Sequence, residues 1–233
     1  MQRFSFLDLS LGQDISISEE TFVHQIAHVL RSRPGEQIIL FNGDGYDYIY
    51  TIVAITKKSI VLTYSEKQQN SSDFPMSIRL YQSLPNKYEK IEYILQKGVE
   101  VGVSEFIFFR AERSQKLVIH ARKIERFQEI VREATEQCGG NTLPFIQFLE
   151  TGIPSPKEGI SYFLHTKSLR GATLKSIAHT SDGYNIFIGP EGGWSEQEAI
   201  IFDQKDIQNL SLGTRILRTE TAGPMTAFFL AQR

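Results

Sequence analysis

The sequence predicts a small β-rich unit followed by a larger α/β unit built on a parallel sheet. Three observations predict it. Short runs of Ile, Tyr, Val and Thr crowd the first 70 residues, broken by Asn42-Gly43-Asp44-Gly45, and Asn-Gly and Asp-Gly are strong hairpin signals. Beyond Pro75, strand-like and helix-like patterns alternate over about 160 residues, as a sheet covered on both faces requires. Between them, Lys67–Pro75 (KQQNSSDFP) is polar and aperiodic, which reads as a linker and places a boundary between 1–72 and 73–233.

In the first part, Glu19–Arg31 sets Phe22, Val23, Ile26, Val29 and Leu30 at helical spacing, with Ser18 as N-cap and Pro34-Gly35 past the end. Gln37–Phe41, Tyr46–Ile55 and Ile60–Tyr64 read as strands, so this part is a small barrel or sandwich. In the second part the strands are Ile78–Leu84, Glu105–Phe109, Phe145–Leu149, Ile160–Leu164, Asn185–Ile188 and a strand end at Leu210–Leu212. The helices are Tyr88–Val99, with Ile91, Ile94, Leu95 and Val99 inward; Ile124–Gln137, with Ile124, Phe127, Val131 and Ala134 inward; Ser195–Phe202; and Ala222–Ala231. Ligands of such sheets sit at the carboxyl ends of the strands.

Composition narrows the function classes. With 41% hydrophobic and 22% charged residues, the 233-residue chain is neither disordered nor fibrous. No apolar run approaches the roughly 18 residues of a membrane span, and MQRFSFLDLSLGQDIS lacks a secretory pattern. A single cysteine, Cys138, excludes an internal disulfide and a Cys-rich zinc site, and reads as a small buried residue. The five histidines are scattered without metal-binding spacing, and His24 reads as structural. The expectation is a cytoplasmic protein with no metal and no membrane contact. A net charge of −2 gives no global nucleic-acid footprint, although Arg110–Arg132 is locally basic. The plainer reading of that stretch is a solvated helix face with intrahelical pairs.

Two loops carry chemistry. Ile188-Gly189-Pro190-Glu191-Gly192-Gly193-Trp194 follows a buried strand and opens a helix. Ser195 with Glu198 forms a capping box, and Trp194 is placed to staple onto Ala199 or Ile200. Glycines ahead of a helix N-terminus let backbone N–H groups approach a ligand, although a plain tight turn uses the same residues. Neither a Walker A nor a GxGxxG pattern is present, so a dinucleotide oxidoreductase is disfavoured. The second loop, Leu212-Gly213-Thr214-Arg215-Ile216-Leu217-Arg218-Thr219-Glu220-Thr221-Ala222, enters the last helix. Thr219 or Thr221 is the expected cap, with Pro224 in the first turn. Arg218 and Glu220 fall at the active edge, where the plain reading is a surface ion pair.

Together, IGPEGGWSEQE and LGTRILRTETA resemble the paired cofactor loops of the RsmE family, 16S rRNA uracil-N3 methyltransferases of the SPOUT superfamily. Arg3-Phe4, HQIAHVLR (His24–Arg31), Phe41–Gly45, Lys90, Glu92, Gln96, Lys97, Glu100, Gly102-Val103, Glu112-Arg113-Ser114 and Glu136-Gln137-Cys138 fit the same family. The resemblance covers nearly the whole chain. It departs at Gly140, where the family usually carries arginine.

The resemblance implies a PUA-like RNA-binding β-barrel over 1–72 and an α/β methyltransferase domain with a deep trefoil knot over 73–233. It implies S-adenosylmethionine as cofactor, a homodimer, and one uridine near the 3′ end of 16S rRNA in the small ribosomal subunit as target. Cofactor contacts would come from Leu164, His165, Ile188, Gly189, Pro190, Glu191, Gly192, Gly193, Leu212, Gly213, Ile216, Leu217, Arg218, Thr219, Glu220, Thr221 and Ala222. Arg218 would stabilise charge developing on uracil, and Glu220 or Glu191 would take the N3 proton or face the sulfonium. RNA contacts would come from Arg3, His24, Arg31, Lys90, Arg113 and Arg122. Two other readings stay open here: a SPOUT methyltransferase for another RNA or base atom, and a non-catalytic RNA-binding ribosome assembly factor.

Overall fold

The computed structural model describes residues 1–150, 152–165, 172–173 and 176–232. The chain forms two compact units: Met1–Asp73 with Thr135–Leu143, and Phe74–Ala134 with Pro144–Arg233.

The first unit holds β1 (Gln2–Ser5), β2 (Ile15–Ile17), α1 (Glu20–His24), β3 (Gln37–Phe41), β4 (Tyr46–Ile55) and β5 (Ile60–Gln69). They form one sheet in the order β1-β3-β4-β5-β2, parallel at β1/β3 and antiparallel elsewhere. Register shifts at Ile49/Tyr50 and Ile52/Ala54 bend the β4/β5 pair. Phe4, Phe22, Ile26, Leu40, Tyr50, Ile52 and Leu62 fill the core.

Sequence expectations fail here for identifiable reasons. Strands β1 and β2 are too short to show periodicity, and only their partners make them strands. Strand β5 runs to Gln69, five residues beyond the expected end at Tyr64 and into the expected linker. Its last residues are exposed and polar, and ladder hydrogen bonds do not require apolar side chains. The predicted helix over 19–31 is shorter: α1 passes into a π-helical turn, Gln25–Val29, and Arg31 leaves at φ 54°. The wider turn swings Val29 out to 64% exposure while Ile26 stays buried. Glu19, not Ser18, holds the N-cap position, without a side-chain bond. His24 is exposed beside His28 rather than buried as a structural histidine.

Arg3 is committed inside this unit. Its guanidinium pairs with Asp47, donates to the Gly140 carbonyl at 2.9 Å and lies 4.9 Å from the Phe41 ring centroid. Asn141 is buried; its amide donates to Tyr46 O and accepts from Gly45 N, both at 2.8 Å. Asp73 accepts from the backbone N–H groups of Asn141 and Thr142. At Gly140 an added Cβ would come within 3.2 Å of Thr135. Cys138, the last residue of its helix, is exposed, contrary to expectation, because the helix end leaves it without a following turn to cover it.

The second unit holds β6 (Ile78–Ser83), α2 (Tyr88–Glu100), β7 (Glu105–Phe109), α3 (Ala121–Cys138), β8 (Phe145–Phe148), β9 (Ile160–Leu164), β10 (Ala172–Thr173), β11 (Tyr184–Ile188), α4 (Glu196–Gln204), β12 (Gln208–Ser211) and α5 (Thr219–Ala231). Helix α3 continues past Ala134 into residues that group with the first unit. The strands make one parallel sheet, β10-β12-β9-β11-β6-β7-β8. Alternate strand residues face opposite ways. Leu80, Phe106, Phe108 and Ile186 meet α2, α3 and α5 through Ile91, Leu95, Phe127 and Leu230. Tyr81, Ile107, Phe109 and Phe187 meet Phe202 of α4 on the other face. Each such side chain, once buried, contributes about 1.5–3 kcal/mol. Ile124, expected inward, is 36% exposed: it lies in the first turn of α3, ahead of the core residues Phe127, Ile130 and Val131.

Helix α5 begins at Thr219, three residues before the expected Ala222. Arg218 takes the N-cap position, and its carbonyl receives the N–H groups of Thr221 and Ala222. Thr219 and Thr221 are therefore not the cap, and Pro224 lies beyond the first turn.

Candidate active site at the carboxyl edge of the parallel sheet

Neighbouring strands β6 and β11 lead in opposite directions across the sheet. The chain leaves β6 for β7 on one side, and leaves β11 for α4 and then β12 on the other. Loops that diverge in this way open a crevice at the strand ends.

The loop after β11 is tightly built. The Gly193 N–H donates to Pro190 O at 2.8 Å, and Gly193 stands at φ 67°, where a side chain is strained. The capping box forms as the sequence predicts: Ser195 Oγ accepts from Glu198 N at 3.1 Å, and Glu198 Oε2 accepts from Ser195 N at 2.8 Å. Glu198 Oε1 also accepts from Glu112 N, which ties in the loop after β7. Trp194 is buried. It stacks on Phe109, meets Phe202 edge-on, and donates from Nε1 to Leu164 O at 2.8 Å. A buried indole needs both an apolar bed and an acceptor, and the sheet supplies both. Leu164 and His165, at the end of β9, are half-buried.

The loop after β12 is open. Gly213 has φ 121°, Thr214–Arg218 are exposed, and Ile216 reaches 78% exposure. At its end Thr219 turns inward and donates from Oγ1 to Gly189 O at 2.6 Å, joining the two loops.

Charged groups converge where α2 and α5 begin. Lys90 Nζ donates to Glu191 Oε1 at 2.6 Å and lies 3.8 Å from Glu220 Oε2. Asn86 N donates to the same Glu191 oxygen at 3.1 Å. Arg218 Nη1 is 3.9 Å from Glu220 Oε1; the arginine side chain is 85% exposed and the glutamate 14%. Burial pushes the Glu191 carboxyl up, but hydrogen bonds from Lys90 and from the backbone hold it below its ordinary value. Glu220 Oε2 is buried with no hydrogen-bond partner among the described residues, its compensation being the more distant Lys90 charge. The two carboxylates thus differ: Glu191 is engaged, and Glu220 has a free acceptor.

Lys90, expected among RNA contacts, stands at the carboxylate pair. Arg113 is exposed and donates to Gly192 O at 3.3 Å. Arg31 and Arg122 are exposed, whereas Arg3 is spent on Asp47 and Gly140. Sequence reasoning missed Gln82 and Asn86. The signal for Gln82 was a neutral amide inside a buried strand; for Asn86 it was position, just past the carboxyl end of β6. Among the described residues no group of His, Cys, Asp and Glu could hold a metal ion, and no helix is long and apolar enough to cross a membrane.

Residues 72–231 match the RNA methyltransferase domain family, and residues 23–63 match the RNA methyltransferase PUA domain family. The unit built on the parallel sheet is therefore an RNA methyltransferase domain, and a PUA domain precedes it. The chain is 33% identical to Ribosomal RNA small subunit methyltransferase E of Bacillus subtilis, over 95% of this chain and 93% of that protein. It is 31% identical to the same-named protein of Buchnera aphidicola from Schizaphis graminum, over 92% and 88%. A crystal structure of Ribosomal RNA small subunit methyltransferase E from Neisseria gonorrhoeae, bound to S-adenosyl methionine, superposes with a TM-score of 0.85 at 32% identity, covering 97% of this chain and 95% of that one. This chain belongs to the ribosomal RNA small subunit methyltransferase E family.

Proposed function

We propose that this protein transfers the methyl group of S-adenosylmethionine to N3 of one uridine near the 3′ end of 16S rRNA in the assembled small subunit. The observation that carries the reading is the junction of the two edge loops at Thr219 and Gly189, with Lys90, Glu191, Arg218 and Glu220 gathered around it.

The site suits this cofactor. Glu220 Oε2, buried and without a hydrogen-bond partner among the described residues, complements a sulfonium cation. Backbone groups of Gly189–Gly193 and Leu212–Leu217, with Leu164 and His165, would hold the adenosyl moiety. Bound there, the cofactor supplies an electrophilic methyl group. Glu220 accepts the N3 proton of uracil, since Glu191 has already given its Oε1 to Lys90 and Asn86. Arg218, free of burial, faces the negative charge that then develops on O2 and O4. Holding the base in line contributes much of the rate.

RNA phosphates are bound by Arg31 and Arg122, with Arg113 and His24 beside their respective loops, and the unit over 1–72 acts as the PUA-like RNA-binding module. Neutralising Arg31 and Arg122 together lowers rRNA affinity and reduces its salt slope by about two. An unchanged slope removes both from the interface. The protein works in the cytoplasm as a homodimer, with the two loops threaded into a trefoil knot. The dimer is supported by α5, whose outer face carries exposed Met225, Phe228 and Phe229 while the opposite face is buried. A helix apolar on both sides calls for a cover on each.

The deciding experiment is transfer from labelled S-adenosylmethionine to small subunits lacking the modification, followed by primer extension. The expected result is one new stop near the 3′ end of 16S rRNA. Label entering a different RNA would reject the substrate and keep the chemistry.

A further inference from the structure

Gln82 lies near the carboxyl end of β6 and is wholly buried. Its carboxamide nitrogen donates to Ser83 O at 3.1 Å and to Thr219 Oγ1 at 3.0 Å. The Thr219 hydroxyl carries a single proton and gives it to the Gly189 carbonyl at 2.6 Å. A carbonyl only accepts, so the hydroxyl must receive from Gln82. The chain therefore runs one way, from Gln82 through Thr219 to Gly189. Turning the carboxamide over would set Oε1 against the Ser83 carbonyl. Instead, Oε1 faces the first turns of α5, where a Cβ on Gly223 would stand 3.4 Å away. Thr219 is buried too, so water cannot replace a lost donor.

We propose that Gln82 is a positioning residue for methyl transfer: through Thr219 it sets the separation of the Gly189–Trp194 and Leu212–Arg218 loops, and with it the place of Glu220. This rests on the reading that those loops hold S-adenosylmethionine. The carboxamide nitrogen of Gln82 is committed to protein acceptors, Ser83 O and Thr219 Oγ1. It fixes the hydroxyl that joins one loop to the other, and Glu220 follows Thr219 directly in the chain.

The test uses the full chain. Thr219→Val removes the hydroxyl and keeps the shape, Thr219→Ser keeps the hydroxyl, and Gln82→Met removes the carboxamide at similar length. Trp194 is the protein's single tryptophan, and its ring comes within 3.1 Å of where a Gly189 Cβ would stand. Its emission reports on the first loop without any cofactor. Gln82→Met and Thr219→Val should each shift that emission and weaken S-adenosylmethionine binding about tenfold by calorimetry. Thr219→Ser should restore both, and the double variant should lose no more than the worse single, because one chain is cut in either place. Wild-type emission and affinity in Thr219→Val would overturn the proposal, as would additive losses in the double variant. If Gln82→Met does not fold, the Thr219 pair decides alone. Failure of the unaltered protein to bind S-adenosylmethionine would instead overturn the cofactor reading and the role in transfer with it; emission would still decide whether the chain sets the loop.

Discussion

The two loops at the carboxyl edge are built in opposite ways. Pro190–Ser195 is closed on itself by the Gly193 turn and the capping box, wedged by Trp194, and tied outward by Glu191. Gly213–Arg218 is exposed along its length and is anchored at its far end by Thr219. The first loop needs no ordering when a ligand arrives, so its contacts are available at little entropic cost. The second gains contacts only when something covers it, and Ile216 and Leu217 have apolar surface to offer. On the proposed reading, one loop serves as a fixed template and the other as an adaptable clasp.

Substitutions can break or sharpen that contrast. The largest effect is expected from the clasp side: Arg218→Ala should lower turnover by about 10²–10³, as loss of a charge-stabilising donor does, with a much smaller change in cofactor affinity. Equal losses in both would make Arg218 a cofactor ligand. Next, on the template side, Lys90→Met should slow transfer about tenfold and raise the Glu191 titration, followed by carbon-detected NMR. In the unaltered protein the Glu191 carboxyl sits below its ordinary value. Its contribution to stability is therefore present above the unfolded value and fades as pH falls through the folded one. A Glu191 titration unmoved by Lys90→Met would show that the lysine does not hold it.

Smaller effects follow. Ser195→Ala removes half of the capping box and should cost about 1 kcal/mol in denaturant unfolding; no loss would mean that Trp194 alone holds the template. Smallest of all, Ile216→Ser should change unfolding free energy by less than about 0.5 kcal/mol, because Ile216 is already 78% exposed. A larger loss would show that the clasp is closed before ligand arrives.

Much of this site was legible in the residue order. Ser195 and Glu198 are three apart, so local geometry alone dictates their box. The glycines of Gly189–Gly193 mark the turn for the same reason. The start of α5 was not legible, since Thr219 is drawn inward by Gly189, thirty residues earlier in the chain. The pairing of Lys90 was not legible, because nothing near it in sequence reveals Glu191, about a hundred residues away. Cys138 looked buried on residue type, yet faces solvent because it is the last residue of α3.

By itself, then, the order of residues determined the alternation of strands and helices in the second unit, the two loops and the Ser195–Glu198 cap. Each follows from periodicity or from contacts a few residues apart, which any chain with those residues must satisfy. Only the tertiary structure decided which carboxylate is hydrogen-bonded and which has an oxygen left over, and which polar groups are spent on architecture. Those outcomes depend on pairings across the parallel sheet, where Gln82, Lys90, Gly189, Glu191 and Thr219 meet because strand order places β6 beside β11.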